Sequence, residues 1–302
     1  FVLLAAVLLA GFGWYAFRSL PIDAFPDVSS TQVKIIMKAP GMTPEEVESR
    51  IALPIEVEML GIPKQRMLRS VSKYGIVDVT IDFDDGTDIY WARQQVAERL
   101  SGIAGDLPGG ISGGMAPITT PLGEMFMFTV EGEGLSLEER RSVLDWVIRP
   151  ALRSVVGVAD VNALGGKVRS FEVLPDPVKL SAVGLSTAQI KSAIEANNRN
   201  DGAGRLGEGD EVLLVRTEGS IKTQDDLRAI VVKNDKGMAV RLGDVAQVRE
   251  GSVTRYGVVT KDGRGEAVEG LVLGLAGANA QKVVDGVTKK LEDIKPTLPK
   301  GV

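Results

Sequence analysis

The chain has no cysteine and no histidine among its 302 residues. Disulfides are therefore excluded, although a disulfide-free protein can live in any compartment. Tight zinc or copper sites draw on imidazole or thiolate, so metal contacts are left to carboxylates, carbonyls and the thioethers of 8 methionines. Pairs of His and Cys for catalysis are impossible, and no nucleophile–base–acid set can be assembled from what remains. The expectation is a protein that is not an enzyme and has no cofactor. A basic stripe is also missing. Against 35 Lys and Arg stand 40 Asp and Glu, for a net charge of −5, which argues against a nucleic-acid partner. Gly165-Gly166 lacks the Lys-Ser/Thr of a phosphate-binding loop and reads better as a hairpin turn.

What is present suits a packed protein. Apolar residues make up 44% and charged residues 25%, and the length suggests two or three compact units. The run from Phe1 to Phe17 is apolar and closes at Arg18, with Trp14 and Tyr15 near that end, where an aromatic belt belongs. As a helix it would cover about 25 Å, short of the ~30 Å hydrocarbon core of a bilayer. The rival reading is a signal peptide, but Arg18-Ser19-Leu20-Pro21 follows the run where a small-residue cleavage site would be needed. With Phe1 as its first residue and Leu298-Pro299-Lys300-Gly301-Val302 as its last, the chain is expected to be a piece of a longer one.

An internal repeat organises the rest. Alternation predicts a strand over Thr31–Ala39, and Thr43-Pro44-Glu45-Glu46 is a capping box for a helix to about Leu60, stopped by Gly61. Strands follow near Met67–Lys73 and Ile76–Phe83, then a helix over Asp88–Leu100. The same order returns: a strand over Met125–Glu131, a capping box at Ser136-Leu137-Glu138-Glu139, a helix to about Val155 and Gly157. Strands near Val158–Ala163 and Val168–Val173 are expected to join at Gly165-Gly166. A helix over Ala280–Leu291 ends in Leu298-Pro299, as Asp88–Leu100 ends in Leu107-Pro108. The expectation is an α+β protein with two ferredoxin-like β-α-β-β-α-β units. One covers 31–115. The other covers 120–167 and 254–302, with its last strand beyond Val302.

The stretch 168–253 between them has its own pattern. Ser186-Thr187-Ala188-Gln189 is a third capping box, on a helix to about Asn197. A polar, glycine-rich arm follows to Asp210, then a strand over Glu211–Glu218 and a short helix near Thr223–Leu227. Strands at Ile230–Lys233 and Val240–Arg241 flank the turn Asn234-Asp235-Lys236-Gly237, and a last strand runs over Val245–Glu250.

Four segments carry a resemblance. They are Leu20-Pro21-Ile22-Asp23-Ala24-Phe25-Pro26-Asp27-Val28, Asp85-Gly86-Thr87-Asp88-Ile89-Tyr90-Trp91-Ala92-Arg93, Met115-Ala116-Pro117-Ile118-Thr119-Thr120-Pro121-Leu122-Gly123-Glu124, and Leu242-Gly243-Asp244-Val245-Ala246. With them the whole chain resembles the N-terminal part of heavy-metal efflux transporters of the resistance-nodulation-division (RND) type. It is most similar to the cobalt-zinc-cadmium branch. Multidrug relatives share Gly86-Thr87-Asp88 but lack the Tyr90-Trp91-Ala92-Arg93 continuation.

The resemblance implies residues 1–18 as the end of the first transmembrane helix, 19–30 as a linker and 31–115 as a first porter subdomain. It implies a second porter subdomain at 120–167 and 254–302, and a docking subdomain at 168–253. The docking arm would reach a neighbouring subunit of a homotrimer, which makes Asn198, Asn200, Arg205 and Glu208 its candidate interface residues. It further implies a proton gradient as energy source, an inner-membrane location with the residues after about 18 on the periplasmic side, metal cations as substrate, and a periplasmic adaptor and outer-membrane channel as partners. Proton-relay residues and the main metal ligands would lie outside this chain. A multidrug-type exporter is the alternative within the superfamily, and a membrane-anchored periplasmic binding or scaffold module is the alternative outside it.

Two other groups invite two readings each, and a third pair has one. Asp82, Asp84, Asp85 and Asp88 could attract cations or form a strand-end turn before a helix N-terminus. Met125 and Met127 share a strand face, as a thioether relay or as ordinary core filling. Arg93 and Glu98 are expected on a charged outer helix face.

Overall fold

The computed structural model describes residues 1–20, 29–120, 122–208, 211–217, 219–235, 237–255 and 257–302. The motif residues 21–28, Pro121, the arm residues 209–210, Glu218, Lys236 and Tyr256 lie outside the described residues. So do the side chains of Ser19, 201–208, 211–217 and Asp235. The chain divides into two compact units. One comprises Phe1–Glu131, Val143–Leu164 and Glu269–Val302, and the other Gly132–Ser142 and Gly165–Val268.

Helix α1 (Val2–Ser19) is 18 residues long, about 27 Å. Its side chains from Val2 to Arg18 are exposed, and the Arg18 guanidinium sits 4.9 Å over the Trp14 ring. Among the described residues no helix is long and apolar enough to cross a membrane.

The first copy of the repeat follows: β1 (Gln32–Lys38), α2 (Pro44–Val47), α3 (Leu53–Met59), β2 (Gln65–Lys73), β3 (Ile76–Phe83), α4 (Ile89–Ile103) and β4 (Ser112–Met115). The sheet order is β2-β3-β1-β4, and β1 pairs antiparallel with β3 from Gln32↔Asp82 to Lys38↔Ile76. Strand alternation sets this register. Val33, Ile35, Val77, Val79, Ile81 and Phe83 face one side with Val47, Ile51, Ile55, Met59, Ala92 and Val96, and all are 0% exposed. Each large one contributes about 1.5–3 kcal/mol by leaving water. Gln32, Asp78, Thr80 and Asp82 take the opposite face by the same period of two.

The second copy runs β5 (Glu124–Val130), α5 (Leu137–Val143), α6 (Arg149–Leu152) and β6 (Val158–Gly165). The inserted stretch then comprises β7 (Arg169–Pro175), α7 (Pro177–Val183), α8 (Thr187–Asn197), β8 (Asp201–Glu208), β9 (Glu211–Thr217), α9 (Gln224–Ala229), β10 (Val231–Asp235), β11 (Met238–Arg241), α10 (Leu242–Val245) and β12 (Ala246–Ser252). The copy resumes with β13 (Val259–Thr260), β14 (Glu266–Gly274) and α11 (Ala280–Ile294). β14 pairs with both β5 and β6. The order β6-β14-β5 thus reproduces β2-β3-β1, and the fold is α+β with two β-α-β-β-α units, the second interrupted.

The pairing corrects one expectation. Val158–Ala163 and Val168–Val173 are not partners across a Gly165-Gly166 hairpin. β6 pairs with β14, while β7 pairs with β12 from Arg169↔Ser252 to Pro175↔Ala246. The insertion opens where the first copy has its Tyr74-Gly75 turn. Gly165 and Gly166, at φ +64° and +65°, turn the chain out of one sheet and into another.

A second sign of duplication lies in the helices. Each copy has a π-turn, Glu48–Ala52 and Leu144–Ile148, two residues before Pro54 and Pro150. Proline has no N–H for the helical ladder, and the widened turn accommodates the missing bond. The inserted stretch packs its own core from Leu180, Leu185, Ile190, Leu227, Leu242, Val245 and Val248. Its arm, β8 with β9, pairs from Asp201↔Thr217 to Glu208↔Glu211 with an irregularity at Gly202/Gly204.

Candidate functional site

Between the two copies of the repeat lies a cleft of about 310 Å³. The first copy lends Thr31, Gln32, Thr87 and Asp88, and the connector lends Ile118, Thr119 and Thr120. Local bonding shapes these walls. The Thr87 hydroxyl donates to the Asp84 carbonyl at 2.6 Å, and the Thr31 hydroxyl donates to the Thr87 carbonyl at 2.9 Å. Asp88 caps α4 by accepting from the Trp91 N–H at 2.7 Å. The volume is at the lower end for small-molecule sites, and the walls carry hydroxyls rather than a set of charges.

The acidic cluster of the sequence resolves into local structure. Gly86, at φ +78°, completes the turn, and Asp84 and Asp85 are exposed. Asp82 points to the other sheet face, where one oxygen meets Arg69 at 3.3 Å. Its Oδ1 is buried without a hydrogen-bond partner. Among the described residues no three of Asp and Glu come together to hold a metal ion. Met127 is 58% exposed, whereas the thioether of Met125 lies where a Cβ on Gly274 would stand, 2.1 Å away. The two methionines share a strand without sharing an environment.

Arg93 departs from expectation. It does not decorate an outer face. Its Nη1 donates to the Ala116 carbonyl at 2.6 Å, 23 positions along the chain. Burial pushes its pKa below the usual value, and among the described residues no carboxylate pairs with it. Arg99, one face along the same helix, donates to the Glu58 and Leu60 carbonyls, each at 2.7 Å, and so caps the end of α3. Neither role was visible in the sequence, because a backbone acceptor leaves no residue-type signal.

At the arm the structure separates the four candidate residues. Asn200 Oδ1 accepts from the Gly219 and Ser220 N–H groups, both at 3.0 Å, and Asn198 Oδ1 accepts from the Ile221 N–H at 3.1 Å. Both asparagines therefore fasten the root of the arm within the chain. Arg205 and Glu208 lie farther along β8, and their side chains are outside the described residues.

The neck of the insertion is ionic. Lys167 meets Glu138 at 3.3 Å, Arg249 meets Glu172 at 2.8 Å, and Arg169 pairs with Glu250. These line a groove of about 660 Å³. Each of these glutamates has a cation partner, and Glu139, which also lines the groove, accepts from the Ser136 N–H, so among the described residues the groove offers no free carboxylate set for a cation. Glu138 titrates below its usual value, first through a backbone hydrogen bond and then through Lys167. Nearby, Arg141 donates to the Gly165 carbonyl at 2.6 Å, and Arg255 pairs with Glu266.

Three relatives align along the whole chain. It is 42% identical to Protein HelA of Legionella pneumophila over 309 residues. It is 39% identical to the cobalt-zinc-cadmium resistance protein CzcA of Cupriavidus metallidurans over 310 residues. It is 36% identical to the cation efflux system protein CusA of Escherichia coli over 304 residues. Each alignment covers 100% of this chain and 29% of the relative. The structure superposes on the crystal structure of a heavy metal efflux pump with a TM-score of 0.87 at 35% identity, covering 99% of this chain and 30% of that one. Residues 1–302 match the family described as AcrB/AcrD/AcrF, and the chain belongs to that family.

Proposed function

We propose that this chain is part of a proton-driven inner-membrane pump that exports heavy-metal cations, divalent ones of the cobalt, zinc and cadmium kind ahead of copper or silver. One observation carries the reading: a protein named for cobalt-zinc-cadmium resistance and a solved heavy-metal efflux pump both match this chain from end to end. Relatives named for nickel-cobalt-cadmium and for nickel and cobalt resistance support the divalent class. The chain spans less than a third of its relatives, so the assembly is part of the proposal. In it, residues 1–18 enter the bilayer as the end of a membrane helix and 19–30 link it to the periplasmic side. Residues 31–115 form the first porter subdomain, 120–167 with 254–302 the second, and 168–253 the docking subdomain. The arm reaches a neighbouring subunit of a homotrimer from a root fastened by Asn198 and Asn200, and Arg205 and Glu208 meet that neighbour. An adaptor protein and an outer-membrane channel complete the path.

The cation is cargo. Proton relay belongs to charged groups within a membrane, and α1 supplies none between Val2 and Phe17. The test is survival. Cells lacking the gene become sensitive to zinc, cobalt or cadmium and regain resistance from a plasmid copy, with copper and silver tolerance unchanged. Sensitivity confined to organic toxicants would assign the multidrug alternative instead.

A further inference from the structure

The connector between the two copies is tied at three places. At its first-copy end, the Ala116 N–H donates to the Lys34 carbonyl at 2.8 Å, and its carbonyl receives Arg93. On the second copy, the Ala276 N–H donates to the Ile118 carbonyl at 3.2 Å, and the Gly274 N–H donates to the Gly123 carbonyl at 2.8 Å. Between these ties stand Thr119 and Thr120, which wall the cleft. The connector therefore sets how far its wall stands from Thr31 and Thr87 opposite.

We propose that Arg93 is a positioning residue, a latch that fixes the first-copy end of the connector and so holds the opening of the cleft. The assignment rests on three observations. The bond spans from α4 to the connector and is the only side-chain bond that ties α4 to it among the described residues. The guanidinium is half-buried yet has no carboxylate partner there, so its charge is committed to one carbonyl. Lastly, beyond the β1–β4 pairing that ends at Ile35↔Met115, the connector's remaining first-copy tie is a single backbone bond, while two bonds hold it to the second copy. A charge-assisted bond is about twice as strong as a neutral one, so losing Arg93 frees the weaker-held end. The latch is independent of what is transported, and its test does not read transport.

Hydrogen–deuterium exchange on the intact membrane-embedded protein reads the latch. In Arg93→Ala, peptides covering 116–123 exchange about tenfold faster or more, as expected for a lost hydrogen bond to a charged group. Amides of β1 and β3 keep their protection, and Arg93→Lys, which retains a cationic donor, stays near the parent. Tyr74→Cys with Val156→Cys, made in the intact protein with any cysteines outside these 302 residues replaced and with labelled subunits diluted by unlabelled ones, places one spin label on each copy of the repeat. The pair's distance distribution broadens in Arg93→Ala. Unchanged exchange at 116–123 would overturn the latch. Equal acceleration throughout the first copy would overturn it too, by making Arg93 a general stabiliser, and so would Arg93→Lys behaving like Arg93→Ala.

Discussion

Single residues here act mainly through the backbone, and two glycines show how the cost of one methyl group depends on its surroundings. Gly61 and Gly165 both sit at positive φ, +74° and +64°. A Cβ at Gly61 would meet nothing within 4 Å, whereas one at Gly165 would stand 2.4 Å from the Ala267 carbonyl and 2.9 Å from Val259. Gly61→Ala is expected to cost about 1–2 kcal/mol from the left-handed conformation alone. Gly165→Ala adds a backbone clash and should cost roughly 3 kcal/mol or more. Urea midpoints for the two variants check the order. Asn200→Ala removes the acceptor for two N–H groups at the arm's root. It should speed exchange at Gly219 and Ser220 by about tenfold, with the insertion core unaffected. Equal protection in the variant would show that Asn200 does not hold the root.

Among the elements, capping chemistry was the most legible part of the chain. Thr43 with Glu46, Ser136 with Glu139 and Ser186 with Gln189 all form the reciprocal bonds their spacing announces. Such bonds span three residues, and local chemistry determines them. Strand partners were less legible. Two adjacent β-patterns around Gly165-Gly166 look like a hairpin in sequence, yet each pairs with a strand about 70 or more positions away, and nothing local encodes that. Arg93 was misplaced for the same reason. The candidate site was half legible: the segments Asp85–Arg93 and Met115–Glu124 stood out, but the bond that joins them did not.

The neck of the insertion yields a pH test. Glu266 titrates below its usual value, first because Arg255 hydrogen-bonds it. A depressed folded-state pKa means the pair's support is present above the ordinary glutamate value and is lost as pH falls through the folded one. Protection at 253–255, taken relative to the intrinsic exchange rate at each pH, should therefore fall on acidification below the carboxylate range and stay flat near neutrality. Glu266→Gln should remove that dependence, and a Glu266→Gln profile in which protection still falls with acid would assign it to another group.

On the scale of the molecule, duplication explains the economy of the fold. One β-α-β-β-α unit is used twice, and the insertion enters at a turn, where added chain disturbs neither core. The exposed apolar α1 sets the third scale of behaviour. Removing residues 1–18 should leave the rest of the chain with weaker membrane association, read by flotation with liposomes, since about 0.8 kcal/mol accompanies each buried CH₂. The most direct test of the central claim is cation movement by the purified membrane protein in liposomes under an imposed pH gradient, followed with a fluorescent zinc or cadmium chelator. The account predicts gradient-dependent transport of zinc, cobalt or cadmium that stops when a protonophore collapses the gradient. Movement of organic dyes with no metal transport under the same gradient would contradict it.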